Sequence, residues 1–266
     1  MTAFLKDLSK FYGTGERNNA GQTLEEFLDG YDPYKYRTPS CTADAVIFCS
    51  RQPLTKELHG IKLLLVRRSN HPSIGYWALP GGFVDMEENL EDSARRELLE
   101  ETGIGDLPME QIAAYGNYDR DPRTRVITTA YMALVNGQEI EVRAGDDAAD
   151  AVWCDLELEN ITDGAKSFAG DGQKDRMQSF AGDVQKDGAQ QFAGGRREDG
   201  VEITAYRLSV RNAEKHLDTC AVVEQKRRRG LIREESFTVK DCGMIAVDHA
   251  AIIVQALTIL KERCGV

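Results

Sequence analysis

A chain of 266 residues with a net charge of −11 is long enough for one good-sized core, or one core and a small appendage, and too acidic for general nucleic-acid or membrane-surface binding. Its six cysteines, at 41, 49, 154, 220, 242 and 264, show no Cys-x-x-Cys spacing. Neither a zinc site nor a disulfide framework is indicated, and a reducing cytoplasm accounts for them. The opening residues MTAFLKDLSKFYG lack the apolar stretch of a secretion signal, and no run approaches a membrane span.

In chain order, residues 1–37 read as a lead-in, with a short amphipathic piece at Leu24 to Leu28 followed by Tyr31, Tyr34 and Tyr36. It is expected to pack on the main domain or on a second subunit of a homodimer. Residues 38–266 form that domain. Thr42 to Cys49 and Ile61 to Arg67 are rich in Val, Ile and Leu and predict strands. Trp77 and Tyr76 lie beside a strand, where aromatic residues serve the core more often than they stack on a base. Pro80-Gly81-Gly82 predicts a turn. From Asn89 to Thr102 there is no proline or glycine, so a helix is expected, capped by Asn89 or the residues before it and stopped at Gly103. Val126 to Val135 and Ala151 to Asp155 predict further strands.

Residues 156–241 are an insertion before the last helix. Within it SFAGDGQKD, SFAGDVQKD and QFAGG place Phe168, Phe180 and Phe192 twelve residues apart. This repeat, at about 164–200, cannot bury enough surface to offset ordering, so a mobile loop is expected. Glu202 to Val210, Thr219 to Gln225 and Ser236 to Val239 predict strands that extend the sheet or form a hairpin flap. The run Lys226-Arg227-Arg228-Arg229 reads as a solvated loop, and no nucleic-acid partner is expected. Ile252, Ile253, Ala256, Leu257 and Leu260 recur at helical spacing and mark a C-terminal helix.

The chemistry concentrates in GFVDMEENLEDSARRELLEETGI, Gly82 to Ile104. At about 100° per residue, Glu97, Glu100 and Glu101 fall on one side of the helix. Leu90, Ala94 and Leu98 overlap that arc, so the acids turn toward the protein body. Partly desolvated carboxylates repel one another and take up protons unless a cation offsets them. All-oxygen ligation favours Mg²⁺ or Mn²⁺ over zinc. Gly81 and Gly82 allow close backbone approach to a metal or phosphate. Arg96 is expected to point away from the three acids and to tie the loop to the helix through Glu88.

This stretch is similar to the Nudix box at every position: Gly82, five residues, Glu88, seven residues, Arg96-Glu97, Leu98, Leu99, Glu100-Glu101, Thr102, Gly103 and Ile104. The resemblance extends over about Thr38 to Asp155 and Ile245 to Lys261. It implies an α/β fold, a Nudix-type α/β/α sandwich with a mixed sheet, interrupted by the insertion between the last sheet strands and the C-terminal helix. It further implies a metal-dependent hydrolase of a nucleoside diphosphate linked to another moiety, with Glu97, Glu100, Glu101 and the Gly81 carbonyl as metal ligands and Arg96, Glu88 and Gly82 as structural residues.

Flanking stretches, among them LLLVRRSNHPSIGYWALPGGFVD and AVDHAAII, look most like the bacterial ADP-ribose pyrophosphatase branch. ADP-ribose, cut to AMP and ribose 5-phosphate, is therefore the expected substrate. Nucleoside triphosphates or dinucleotides are the alternative, and an ADP-ribose-sensing transcriptional regulator is a third reading. Hydrolysis needs a positioned water, and the Asp146-Asp147 loop, with Asp147 preferred, supplies the candidate base. Arg67, Arg68, Arg120, Arg123 and Arg125 are candidates for phosphate or ribose contacts, because a guanidinium offers paired donors.

Overall fold

A computed structural model describes residues 4–145, 148–162, 200–228 and 230–264. The twelve-residue repeat and Asp146-Asp147 fall outside this set. The chain divides into two compact units, residues 1–39 and 40–266. In the first, helix α1 (Leu24–Gly30) starts at a capping box, in which Thr23 Oγ1 accepts the Glu26 amide and the Glu26 carboxylate accepts the Thr23 amide. None of the α1 residues is buried.

The second unit is built on one twisted sheet. Its strands are β1 (Ser40–Ser50), β2 (Lys62–Arg68), β3 (Trp77–Ala78), β4 (Gly81–Phe83), β5 (Glu110–Tyr115), β6 (Val126–Asn136), β7 (Ala148–Asn160), β8 (Val201–Asn212), β9 (Leu217–Arg228) and β10 (Glu234–Asp241). The order is β10-β9-β8-β7-β2-β1-β6-β5, with β3 on β2 and β4 on β1. Among the described strands, β1 and β6 are the pair that runs parallel, from Ser40↔Val126 to Ser50↔Asn136, so the sheet is mixed.

Side chains of β1 alternate between two cores, as strand geometry requires. Val46 and Phe48 face helix α3 (His249–Arg263), whereas Ala45, Ile47 and Cys49 share a cluster with Leu98 of helix α2 (Leu90–Thr102). Helices therefore cover both faces, as the α/β/α expectation requires. Trp77 is 5% exposed and belongs to the core on the α3 side, where a base could not stack on it.

Near its end β1 pairs with β2, at Phe48↔Leu63, and near its start with β4, at Asp44↔Gly81 and Ala43↔Gly82. The two neighbours thus share one edge of β1, and the segment between them fills the wedge. Gly81 and Gly82, expected in a turn, lie in this short strand. A Cβ on Gly81, at φ +157°, would collide with the Ala43 carbonyl and the Asp44 carboxylate, and only glycine permits that approach.

Strand β7 is far longer than the five residues expected. Its first part pairs with β2, from Ala148↔Arg68 to Asp155↔Lys62, and its last part with β8, from Asp155↔Arg211 to Asn160↔Tyr206. The described part of the insertion extends the sheet as an antiparallel meander, β8-β9-β10. Leu208, Val210, Ala221 and Val223 from it enter the core beneath α3.

Candidate active site

Helix α2 begins at Asn89, whose side chain makes no cap hydrogen bond and instead donates to Asp92, and ends at Gly103, left-handed at φ 75° with its amide bonded to Leu99 O. Ala94 and Leu98 are buried; Leu90, expected beside them, is the first residue of the helix and is 37% exposed. The buried set is completed by Ser93 and Thr102, small polar groups whose hydroxyls bond locally to Glu88 and to Leu98 O.

The buried stripe carries the acids to the floor of a cavity of about 460 Å³. Glu101 accepts the Gly81 amide at 3.0 Å. Burial, reinforced by the charges of Glu97 and Asp44, pushes its carboxyl up to about 7. Burial also raises Glu97. A Cβ on Gly82 would strike the Glu97 carboxylate, so a larger residue here would push that acid aside. At the other end of the helix, the Arg143 and Gly145 amides donate to Thr102 O and Glu101 O, docking the loop before β7.

Arg96 corrects one expectation. Its guanidinium does hold Glu88, through Nε at 3.0 Å and Nη2 at 3.1 Å, and also donates to Phe83 O. Yet it does not turn away from the acids: Nη1 lies 2.7 Å from Glu97 and 2.9 Å from Glu100. A long side chain with five donors reaches both the loop and its own helix neighbours one and four residues on. Glu88 is held well below the usual carboxylate range, chiefly by Arg96 and then by Ser93.

Among the described residues no three His, Cys, Asp or Glu side chains stand in a ready-made metal cage, and Arg96 engages two of the acids. The donor chemistry nonetheless fits a hard divalent cation. All the facing groups are carboxylates, and both Glu97 and Glu101 have proton affinities raised by burial, which a cation would offset.

The cavity also has a basic lining. Arg67, Arg68, Arg120 and Arg123 line the same cavity. Arg125 does not: its guanidinium is spent on the Asn117 and Gly116 carbonyls at 2.8 and 2.6 Å. Arg67 bonds Gly75 O and Arg68 bonds Pro72 O, so both also brace the loop 69–75. Arg123 is paired with Asp121 and lies 5.3 Å over the Phe83 ring at the rim. Arg120 is the most buried. Asp248 grips it with two hydrogen bonds, 2.9 and 3.0 Å, and Asp44 lies 3.9 Å away.

Asp44, Asp121, Asp248 and His249 also line the cavity and are not among the candidates that residue type and spacing point to. Asp44 left a signal, a lone acid inside the apolar strand TADAVIFCS; Thr128 Oγ1 donates to it at 2.6 Å. Asp147, the candidate base, lies outside the described residues.

Residues 43–169 match the NUDIX domain model. Over 114 residues the chain is 45% identical to an ADPR responsive transcriptional repressor, NtrR, of Acinetobacter baylyi, covering 42% of this chain and 43% of the relative. Over 95 residues it is 43% identical to an ADP-ribose pyrophosphatase of Methanocaldococcus jannaschii, covering 36% and 55%. The chain thus spans about half the length of these curated relatives. Because one of them is a transcriptional repressor, the comparison gives no support to the expectation that nucleic acid is not a partner. No described helix is long and apolar enough to cross a membrane. A crystal structure of a MutT/nudix family protein from Enterococcus faecalis superposes with a TM-score of 0.54 at 27% identity, covering 91% of this chain and 70% of that one. The box on its turn and helix, the mixed sheet between two helical layers, and the matched domain together place this chain in the Nudix family.

Proposed function

We propose that this chain hydrolyses the pyrophosphate bond of ADP-ribose, releasing AMP and ribose 5-phosphate. The observation that carries this reading is the cavity itself, which three carboxylates of α2 and the arginines at 67, 68, 120 and 123 line together. A pyrophosphate diester has the matching character: anionic oxygens for guanidinium groups, and a phosphorus whose attack requires charge neutralisation. The identity to an ADP-ribose pyrophosphatase supports the substrate.

Glu97, Glu100 and Glu101, with the Gly81 carbonyl, would hold magnesium or manganese, which supplies Lewis-acid polarisation and lowers the pKa of bound water. The protein's own contribution is placement. The Gly81 amide fixes the Glu101 carboxylate, and Arg96 with Glu88 binds the entry loop to the helix so that the acids cannot drift. Arg120, immobilised by Asp248, presents a charge already oriented before a ligand arrives, which lowers the ordering cost of binding. Asp147 is proposed as the base for the attacking water.

The test is turnover. Purified protein with magnesium is offered ADP-ribose, NADH, diadenosine polyphosphates and the common triphosphates, and products are separated by chromatography. AMP and ribose 5-phosphate from ADP-ribose are expected, at higher kcat/KM than from the others; tight binding without turnover of any would overturn the enzyme reading. That outcome would favour the ADP-ribose-responsive regulator, which the 45% identity to a repressor motivates. Against it, residues 201–241 form sheet strands where a helical DNA reader would place a recognition helix.

A further inference from the structure

His249, which follows Asp248 at the start of α3, is the residue of AVDHAAII lining the cavity that the hydrolase reading leaves without a role. Asp248 holds Arg120. His249 makes a different link: its Nδ1 lies 2.9 Å from the Leu79 amide. An amide nitrogen can only donate, so Nδ1 must be the unprotonated acceptor, and the neutral ring must carry its proton on Nε2.

Nε2 has no hydrogen-bond partner among the described residues, and none of their buried side-chain nitrogen or oxygen atoms lacks a partner. Nε2 is therefore accessible, and His249 lines the cavity beside Arg120. We infer that His249 is a ligand-binding residue, a neutral donor whose tautomer is fixed by the Leu79 backbone and whose Nε2–H is aimed at an oxygen of the nucleotide-derived ligand. The inference rests on the proposed ligand class. It also gives Leu79 a double duty. The residue whose amide locks the imidazole directly precedes Pro80-Gly81, where the amide that holds Glu101 lies, so the binding donor and a catalytic carboxylate are registered on one three-residue stretch of backbone.

The discriminating substitution is His249→Asn. The asparagine Oδ1 can still accept the Leu79 amide near the Nδ1 position, but nothing replaces the Nε2–H donor. Calorimetric titration with magnesium and a methylene-bridged, non-hydrolysable ADP-ribose analogue is expected to show about tenfold weaker binding, the loss of one well-formed hydrogen bond. With ADP-ribose itself, KM should rise while kcat stays within about threefold. Unchanged affinity in a variant that melts like the wild type overturns the inference. Should His249→Asn melt early, nitrogen-15 histidine spectra of the wild-type protein decide: an Nε2–H tautomer at His249 whose Nε2 resonance moves on adding the analogue supports the assignment. An Nδ1–H tautomer, or an unmoved resonance, overturns it. A wild-type chain that binds no member of the nucleotide panel removes both this inference and the functional reading, whereas wild-type binding with unaltered affinity in the variant removes this one alone.

Discussion

The two walls of the cavity are made in opposite ways. The acidic wall comes from one unbroken stretch, Gly81 to Glu101, in which a helix fixes the mutual positions of three carboxylates. The basic lining is collected from the end of β2 and the loop before β6. Arg67, Arg68 and Arg123 lean on near neighbours in sequence, but the most buried of the four, Arg120, is held by Asp248, 128 residues on. Local geometry suffices for the first, whereas the second exists only once the sheet has closed.

Breaking the local wall should therefore destroy chemistry and spare the fold. Replacing Glu100 or Glu101 by Gln is expected to lower kcat about a thousandfold while circular dichroism shows an intact fold; near-wild-type turnover at saturating magnesium would show that the ligands are misassigned. Breaking the assembled wall should do the reverse. Asp248→Ala leaves a nearly buried guanidinium without its main partner, and urea denaturation is expected to show a loss of about 3 kcal/mol. A loss below about 1 kcal/mol would mean that solvent reaches Arg120 freely. Gly82→Ala tests how tightly the acids are placed. Its methyl displaces Glu97, and a fall in kcat of about a hundredfold is expected, read beside circular dichroism that shows an intact fold.

Smaller effects sharpen the contrast. Arg123→Ala, at the partly open rim, should raise KM for ADP-ribose about fivefold and leave kcat alone. Last, in chelator-treated protein Glu101 has its carboxyl raised to about 7, so the folded state binds this proton more tightly than the unfolded chain does. Its contribution to stability is full below about pH 4.5 and is lost as pH rises through about 7. Denaturation curves of wild type and Glu101→Gln should diverge over that window, with the wild type losing ground as pH rises; parallel curves would show that Glu101 titrates normally.

The same contrast explains what could be read from the sequence. Glu97, Glu100, Glu101, Gly82 and the Gly103 stop are set by helical period and backbone conformation, which are local properties. Arg96 was legible as a tie to Glu88 but not as a neighbour of the acids, because a side chain with that reach has several competing partners. Among the five candidate arginines, residue type could not separate Arg125, which braces backbone carbonyls, from Arg120, which faces the cavity. The sequence shows only the first part of strand β7, because its later part, Leu156 to Asn160, alternates with acids along a margin that β8 makes into sheet.

That shared strand has a consequence for how the chain tolerates change. Helix α3 rests on Leu208, Val210, Ala221 and Val223 as well as on β1, so residues 201–241 are a floor and not an ornament. Trimming them would unseat Ile252, Ile253 and Leu257, and with them the first turn of the helix, where Asp248 grips Arg120 and His249 meets Leu79. Substrate affinity would then fail through a segment with no described residue in the cavity wall, and variation among relatives in this region should surface as altered binding before it surfaces as altered chemistry.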